Sequence, residues 1–600
     1  MSDPAVTTVW ARAFIDELAR CGVEHVSIAP GSRSTPLVMA CARDARLRTW
    51  VHLDERCAGF FALGIGRSSG RPSAVITTSG TAAANILPAV VEASHAGVPM
   101  VVLTADRPPE LRGTDANQTI DQRAIYGSFV RESFDAEMPS ADGLRRIRAL
   151  ACRAVVSTLA PEPGPVHVNI PFEKPLEPTE LSAEAEARLR KSDPLGLEGR
   201  SDGLPLVAEE VGRLRTTPRD LKEVVALIDG ATRGVIVAGP ASGPDASGPA
   251  IGVLARATGF PVLADPLSGA RFADHCGRHL VTTFDLLLRE PLVREALRPD
   301  VVLRIGGAPT SASLLTYLRE CRGIPQVQIR SGPWWKDHLE AATHDVRGDV
   351  TGFLEDVVSA LAERTSPPEW CARWTDLDGV ASAVLTADSE EVFEGDVLAA
   401  VVDSLPSGGT LFVSNSMPIR DLDAFGGGGT KALSVFGNRG VSGIDGIVST
   451  VAGIAVARGT EGSDGEGEGR SPVVAVLGDI AFHHDMNGLL AISKYRLNVL
   501  LVVINNDGGG IFHMLPIEEH EPEFTRYFAV PHGLDFRHAA ETYGIRYRYI
   551  DEASMVGEAL DDLLAESGPR MLEIRSERAH NMRRREEAGE AVRQAVVARL

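Results

Sequence analysis

The sequence offers little that would suit an oxidising compartment, a bilayer or a nucleic acid. Its seven cysteines are an odd number and never fall in a Cys-x-x-Cys spacing, which excludes a disulfide framework and a zinc site and leaves buried thiols. No apolar run approaches the roughly 20 residues of a membrane helix. The opening Met1-Ser2-Asp3-Pro4-Ala5 has neither the basic start nor the apolar core of a signal peptide, so a cytoplasmic location is expected. Basic residues are outnumbered too: 60 Lys and Arg against 81 Asp and Glu give a net charge of −21. Without a basic field to release counterions, nucleic acid and anionic membrane surfaces are poor partners, and an anionic substrate needs arginines placed locally.

What is present is 600 residues with 44% hydrophobic content, enough for three to four domains with cores of their own. Apolar strand-like runs at 73–77, 99–104 and 166–170 alternate with helical stretches, the pattern of a parallel sheet covered by helices over residues 1–178. A charged stretch rich in Pro and Gly, 179–218, reads as a linker. A second α/β unit, 219–365, carries runs at 234–239, 301–306 and 326–329 and is closed by Ser366-Pro367-Pro368. A third, 390–600, carries runs at 473–477 and 499–504. The fold class expected is α/β, with three doubly wound parallel-sheet domains. The acidic, Gly-rich stretch 459–469 is expected to be a disordered surface loop without catalytic role.

Two segments in the third domain each follow a buried strand: Gly478-Asp479-Ile480 and Asn505-Asn506-Asp507-Gly508. Asn506 comes 27 positions after Asp479, room for one strand, a crossover helix and the next parallel strand. Ligands of open α/β sheets bind beyond the carboxyl ends of strands, and a carboxylate with an amide oxygen suits a hard divalent cation that also holds a diphosphate. In the first domain Glu55 heads an apolar, small-residue helix, where a carboxylate can be kept beside a ligand ring. The adjacent His483 and His484 do not share a helix face and make a poor chelate.

The Gly-Asp and Asn-Asn pair, with Glu55 ahead of it in the chain, resembles the motif of thiamine diphosphate enzymes of the decarboxylase type. Ala29-Pro30-Gly31-Ser32-Arg33-Ser34-Thr35-Pro36, Thr78-Ser79-Gly80-Thr81-Ala82, Thr104-Ala105-Asp106-Arg107-Pro108-Pro109-Glu110, Ala116-Asn117-Gln118, Ser416-Met417-Pro418-Ile419-Arg420, Asn438-Arg439-Gly440 and Gly443-Ile444-Asp445-Gly446 narrow the resemblance to one branch. That branch is the 2-succinyl-5-enolpyruvyl-6-hydroxy-3-cyclohexene-1-carboxylate (SEPHCHC) synthases of menaquinone biosynthesis, transferases that decarboxylate 2-oxoglutarate and add the remaining unit to isochorismate.

The resemblance implies thiamine diphosphate as cofactor, a magnesium or manganese ion, and a homodimer or homotetramer whose active sites lie at the subunit interface. It implies a pyrimidine-binding first domain, a diphosphate-binding last domain, and Glu55 as the catalytic residue, hydrogen-bonded to the cofactor's aminopyrimidine. Metal ligands would be Asp479, the Asn506 side-chain oxygen and the Gly508 carbonyl. Ser416, Gly478 and Ile480 would line the cofactor site, with Ile444, Ile511 and Phe512 walling it. Ser32, Arg33, Arg107, Asn117, Gln118 and Arg439 would serve substrate, and Ser416 and Arg420 the distal carboxylate of the succinyl unit. Both substrates are dianions, and arginine's planar fork holds carboxylates better than lysine does.

One departure stands out. Basic residues of the middle domain reach the site in this family, yet the matching stretch, 306–314, contains none. Either another middle-domain residue substitutes, such as Arg271 or Arg304, or the isochorismate side is built differently. The rival readings are another thiamine diphosphate decarboxylase or ligase, such as an acetolactate synthase-like enzyme, and a non-catalytic nucleotide-binding relative. For the latter, Gly64-Ile65-Gly66-Arg67-Ser68-Ser69-Gly70 is only a near miss to the dinucleotide fingerprint.

Overall fold

The computed structural model describes residues 3–600 except 161, 209–211, 213, 242–246, 333–334, 363–367, 386–390 and 461–470. The stretch expected as an acidic loop lies outside the described residues except at its first two positions.

Three parallel sheets of six strands carry the chain. The first contains β1 (His25–Ile28), β2 (Arg48–Val51), β3 (Ser73–Thr77), β4 (Met100–Asp106), β5 (Ser133–Asp135) and β6 (Pro165–Pro171), in the order β2-β1-β3-β4-β6-β5. The second contains β7 (Gly234–Ala238), β8 (Val262–Ala264), β9 (Leu280–Val281), β10 (Val301–Ile305), β11 (Gln326–Arg330) and β12 (His344–Arg347), in the order β12-β11-β10-β7-β8-β9. The third contains β13 (Thr410–Val413), β14 (Ser434–Phe436), β15 (Val473–Gly478), β16 (Val499–Asn505), β17 (Arg546–Ile550) and β18 (Arg570–Arg575), in the order β14-β13-β15-β16-β18-β17. The central strands β4 and β16 are buried along their whole length, as their unbroken apolar runs require in a sheet covered on both faces.

By contact density the described chain forms two compact units. One holds Met1–Gly212 with Gly440–Gly459 and Asp485–Tyr495; the other holds Arg213–Arg439, Thr460–His484 and Arg496–Leu600.

In the first unit, the helix Pro4–Arg20 is capped by the Asp3 side chain and buries Trp10, Phe14 and Leu18 in the core of the first sheet. The helix Glu55–Ser69 packs on the helix Ile447–Ala457, which joins this unit although it follows β14 in the chain. Two glycines explain the closeness. A Cβ at Gly64 would lie 2.1 Å from the Thr450 carbonyl oxygen, and one at Gly453 would lie 2.1 Å from that of Phe61. Backbone thus meets backbone at Gly64; of the other glycines in the fingerprint-like stretch 64–70, Gly66 lies against Val98 and Pro99, and Gly70, at φ 68°, ends the helix.

The stretch expected as a linker is folded over much of its length, with helices Ala183–Ser192 and Pro194–Glu198. Buried Arg148 ties it down, donating to the Gly196 carbonyl at 2.9 Å while pairing with Glu17 at 2.7 Å. The seven cysteines are free and six are buried.

Candidate active site

The carboxyl ends of β15 and β16, paired from Val473–Val499 to Gly478–Ile504, bring the two motif segments side by side in the second unit. Asp479 is buried at the start of the helix Asp479–His484. Its Oδ2 accepts from the Gly508 N–H at 2.9 Å and lies 3.2 Å from His532 Nε2, and its Oδ1 accepts from the Ile480 N–H at 2.7 Å. The Leu534 N–H donates to His532 Nδ1 at 3.0 Å, so the ring proton sits on Nε2 and points at Asp479. Burial raises the Asp479 carboxyl, and these donors pull it back toward the ionised form.

Asn506 is held from both sides. Its Nδ2 donates to Glu394 Oε1 at 2.9 Å, and Arg578 Nη1 donates to its carbonyl at 2.7 Å. Its Oδ1 is buried without a hydrogen-bond partner. A buried amide oxygen left unpaired costs about 1–3 kcal/mol, so the site is arranged for a ligand that takes it up. Among the described residues the carbonyl of Gly508, a residue at φ 134°, accepts only from the Gly510 N–H, and a Cβ there would meet the Ala529 carbonyl oxygen at 2.1 Å. A Cβ at Gly478 would instead stand in open space, leaving room for a phosphate. All-oxygen donors beside that opening fit a hard divalent cation and a diphosphate. Half-buried Ile511 and Phe512 follow in a short 3₁₀ turn, with Phe512 edge-on to Phe528 at 5.7 Å.

Ser416, at φ 72° and ψ −126°, precedes the helix Met417–Phe425. A serine held there costs about 1–3 kcal/mol, and such strain collects at functional sites. Its carbonyl accepts from Arg420 Nη1 at 2.5 Å, and Arg439 Nη1 donates to Asn415 Oδ1 at 3.1 Å. Burial, then the charge of Arg439, holds the Arg420 guanidinium below its usual range. Arg420 lines a cavity of about 330 Å³ with Asp285, Arg289, Met417, Met514 and Arg585, and the middle-domain stretch Thr310–Ser313 forms another of its walls.

Neither of the two examples offered for a substituting middle-domain residue, Arg271 and Arg304, is free to play that part. Arg271 is buried on Asp423 at 3.0 Å and on the Gly427 carbonyl at 2.6 Å, and Arg304 is buried on Asp337 at 2.8 Å. Both guanidiniums serve carboxylates of the fold. The middle-domain arginine that lines the cavity is Arg289, itself paired with Asp285 at 2.6 Å.

In the first unit, Glu55 is the first residue of its helix and half-buried, behind the Asp54 cap, whose carboxylate accepts from the Arg56 N–H at 2.9 Å. Among the described residues no group pairs with the Glu55 carboxylate. Ile444 stands in the half-buried loop before the helix Ile447–Ala457. Asp485, which motif reasoning overlooked, joins the two helices: it accepts from the Ser449 N–H at 2.7 Å, the Ser449 hydroxyl at 3.1 Å and the Cys57 thiol at 3.4 Å.

Burial raises the Asp485 carboxyl from 3.8 to about 6. Between those values the folded chain holds a proton that the unfolded chain has lost, so folding stability falls as pH rises through the window. The full loss is about 3 kcal/mol at 1.36 kcal/mol per unit. Asp485→Asn mimics the protonated acid, and its unfolding free energy should lack this decline between pH 4 and 6. Denaturant melts of both chains across that range check it, and equal slopes would remove Asp485 as the titrating group.

Of the remaining residues, all in the same unit, Arg107 and Gln118 meet at Ser79. Arg107 Nη1 donates to the Ser79 hydroxyl and Gln118 Nε2 to the Ser79 carbonyl at 2.9 Å. Arg33 Nη1 donates to the Phe172 carbonyl at 2.6 Å, and burial followed by the charge of Arg107 lowers its guanidinium. Ser32 and Asn117 are exposed. Ser79 and Gly80, quoted as part of a motif, were not read as site residues; the Gly80 N–H donates to Gln122 at 2.8 Å.

Arg33, Arg107, Arg420 and Arg439 share one property. In a chain with 81 acidic residues, none of the four forms an ion pair among the described residues, although burial depresses the guanidiniums of Arg33, Arg107 and Arg420. Paired arginines abound elsewhere, on Glu17, Asp106, Asp337 and Asp423. Four unpaired guanidiniums, two in each unit, are positioned for anions that the chain itself does not supply.

Three family models match in succession: the N-terminal TPP binding domain of thiamine pyrophosphate enzymes over residues 9–125, the middle domain of thiamine pyrophosphate enzymes over 222–413, and their C-terminal TPP binding domain over 438–574. The 2-succinyl-5-enolpyruvyl-6-hydroxy-3-cyclohexene-1-carboxylate synthase of Halorubrum lacusprofundi is 43% identical, with 98% of each chain covered. That of Halobacterium salinarum is 42% identical over 99% of each chain, and that of Roseiflexus castenholzii 40% identical over 98% of this chain and 99% of its own. Among solved structures, benzoylformate decarboxylase from Polynucleobacter necessarius matches with TM-score 0.70 at 16% identity, covering 95% of this chain and 98% of its own, which is a likeness of fold alone.

Proposed function

Since the chain belongs to the SEPHCHC synthase family of thiamine diphosphate enzymes, we propose that it decarboxylates 2-oxoglutarate and adds the remaining four-carbon unit to isochorismate. The observation that carries the substrate class is the set of four arginines without carboxylate partners, matched to two dianionic substrates.

Residues 1–178 bind the pyrimidine half of the cofactor and residues 390–600 its diphosphate, with 219–365 between them. When bound, thiamine diphosphate supplies a thiazolium ring that accepts electrons as the 2-oxo acid loses CO2. Glu55 holds a proton at N1′ of the aminopyrimidine. Asp479, Asn506 Oδ1 and the Gly508 carbonyl hold Mg2+ or Mn2+. Ile444, Ile511 and Phe512 exclude water from the reacting carbon. Arg420 and Ser416 hold the distal carboxylate of 2-oxoglutarate, for which Met417 and Met514 give the cavity an apolar wall against the methylenes. Arg33, Arg107, Asn117 and Gln118 receive isochorismate, and Arg439 is a further substrate-binding cation. The active form is a homo-oligomer with sites at the subunit interface.

Incubating the chain with thiamine diphosphate, Mg2+, 2-oxoglutarate and isochorismate should consume isochorismate and release CO2. No consumption with 2-oxoglutarate, but turnover of pyruvate, would replace this reading by the acetolactate synthase-like one. The division of labour is testable with two variants. Arg420→Ala should impair use of 2-oxoglutarate, and Arg33→Ala mainly the isochorismate step, each by the roughly 1.5–3 kcal/mol of one charge-assisted hydrogen bond. Loss of CO2 release in Arg33→Ala without isochorismate present would show the assignment to be wrong.

A further inference from the structure

We propose that Glu394 is a positioning residue that decides which end of the Asn506 side chain faces the metal ion; the inference rests on reading Asn506 as a ligand. An amide has one end that can bind a cation and one that cannot, and its terminal torsion is broad and roughly two-fold, so the rotamer makes no choice by itself. The neighbours must make it.

Glu394 opens the helix Glu394–Ser404, 112 positions before Asn506, and is buried. Its own N–H is fixed by Asn581 Oδ1 at 2.8 Å. Its Oε1 accepts from Asn506 Nδ2 at 2.9 Å and from the Ser576 hydroxyl at 3.0 Å, and its Oε2 lies 3.7 Å from Arg585 Nη2. An acceptor fixed in this way takes the NH2 end and leaves Oδ1 as the unpaired atom, as the structure has it. A flipped amide would set oxygen against the Glu394 carboxylate and turn its N–H groups toward the cation. Both changes are unfavourable, so Glu394 acts through Asn506 as outer partners of metal ligands do.

The test is a double-mutant cycle on the full chain, reading the Mg2+ concentration needed for half-maximal binding of thiamine diphosphate by calorimetry, beside thermal unfolding without cofactor. Glu394→Leu should raise that concentration about tenfold, the low end of the usual cost of an outer-shell partner. Glu394→Gln, which keeps an acceptor oxygen, should restore most of it. In an Asn506→Ala background Glu394→Leu should cost nothing further, because the residue has lost the group it acts through. Ser576→Ala is the milder variant, should Glu394→Leu not fold; it should raise the Mg2+ requirement, and again not in the Asn506→Ala background.

If the native chain needs Mg2+ but the Glu394 and Ser576 variants need no more of it, or lose as much again without Asn506, Glu394 is only a packing acid and the inference fails. If the native chain binds thiamine diphosphate without regard to Mg2+, the reading of Asn506 as a ligand fails first and takes this inference with it.

Discussion

Asp479→Ala should abolish the Mg2+ dependence of thiamine diphosphate binding while the third sheet stays folded. The carboxylate is the only anionic oxygen among the three proposed ligands, the others being an amide and a backbone carbonyl, so its loss removes the charge that holds a divalent ion. The substitution also leaves the Gly508 and Ile480 N–H groups and His532 Nε2 without their acceptor. That would cost about 1–3 kcal/mol for each group left dry. Ile480 and His532 are only half-buried, so water can reach two of the three and the local loss is smaller than the stability of a domain. Strands β15 and β16 keep their six paired positions and their buried apolar side chains. Calorimetry with and without Mg2+, beside far-ultraviolet circular dichroism, reads the two effects separately. Unchanged metal dependence in a folded variant would overturn the metal assignment.

The legibility of this site in the sequence follows from what each residue depends on. Asp479 and Asn506 were readable because strands buried on both faces give unbroken apolar runs, and the residue after such a run stands at the carboxyl end of the sheet. The four arginines were readable as motif members, but that they have no ion-pair partners among the described residues is a property of the fold. Glu394 and Asp485 were not readable. Each is a single acid whose meaning comes from a contact made 112 or 36 positions away, and no local spacing announces it.

Arg271 and Arg304 failed as candidates for the opposite reason. Their sequence surroundings look available, yet Asp423 and Asp337 claim them inside the fold. The helix Ile447–Ala457 shows the same limit for architecture. Its apolar run is consistent with any buried helix, and contacts made in the fold, the reciprocal approach of Gly64 and Gly453 and the bonds of Asp485 to Ser449 and Cys57, assign it to the unit of Glu55.

Glu55→Gln should lower turnover at least about a hundredfold, the scale of losing a proton-transfer partner, while cofactor binding and folding change little. Glutamine has the same shape and can still hydrogen-bond the aminopyrimidine, so affinity is largely kept; what it cannot do is hold or release the proton at N1′. Folding is insulated because the Glu55 carboxylate has no partner within the described residues, and the helix start is secured by Asp54 rather than by Glu55. The helix itself is fixed further on, by the glycine contacts with the helix Ile447–Ala457 and by Asp485 on Cys57. Any loss of rate is therefore a loss of chemistry at the carboxylate and not of the frame that presents it. The measurement is the rate of isochorismate consumption, with calorimetry of thiamine diphosphate and a thermal melt on the same preparation. Near-normal turnover would remove Glu55 from the mechanism, and a large fall in cofactor affinity with the rate per bound site intact would make it a binding residue instead.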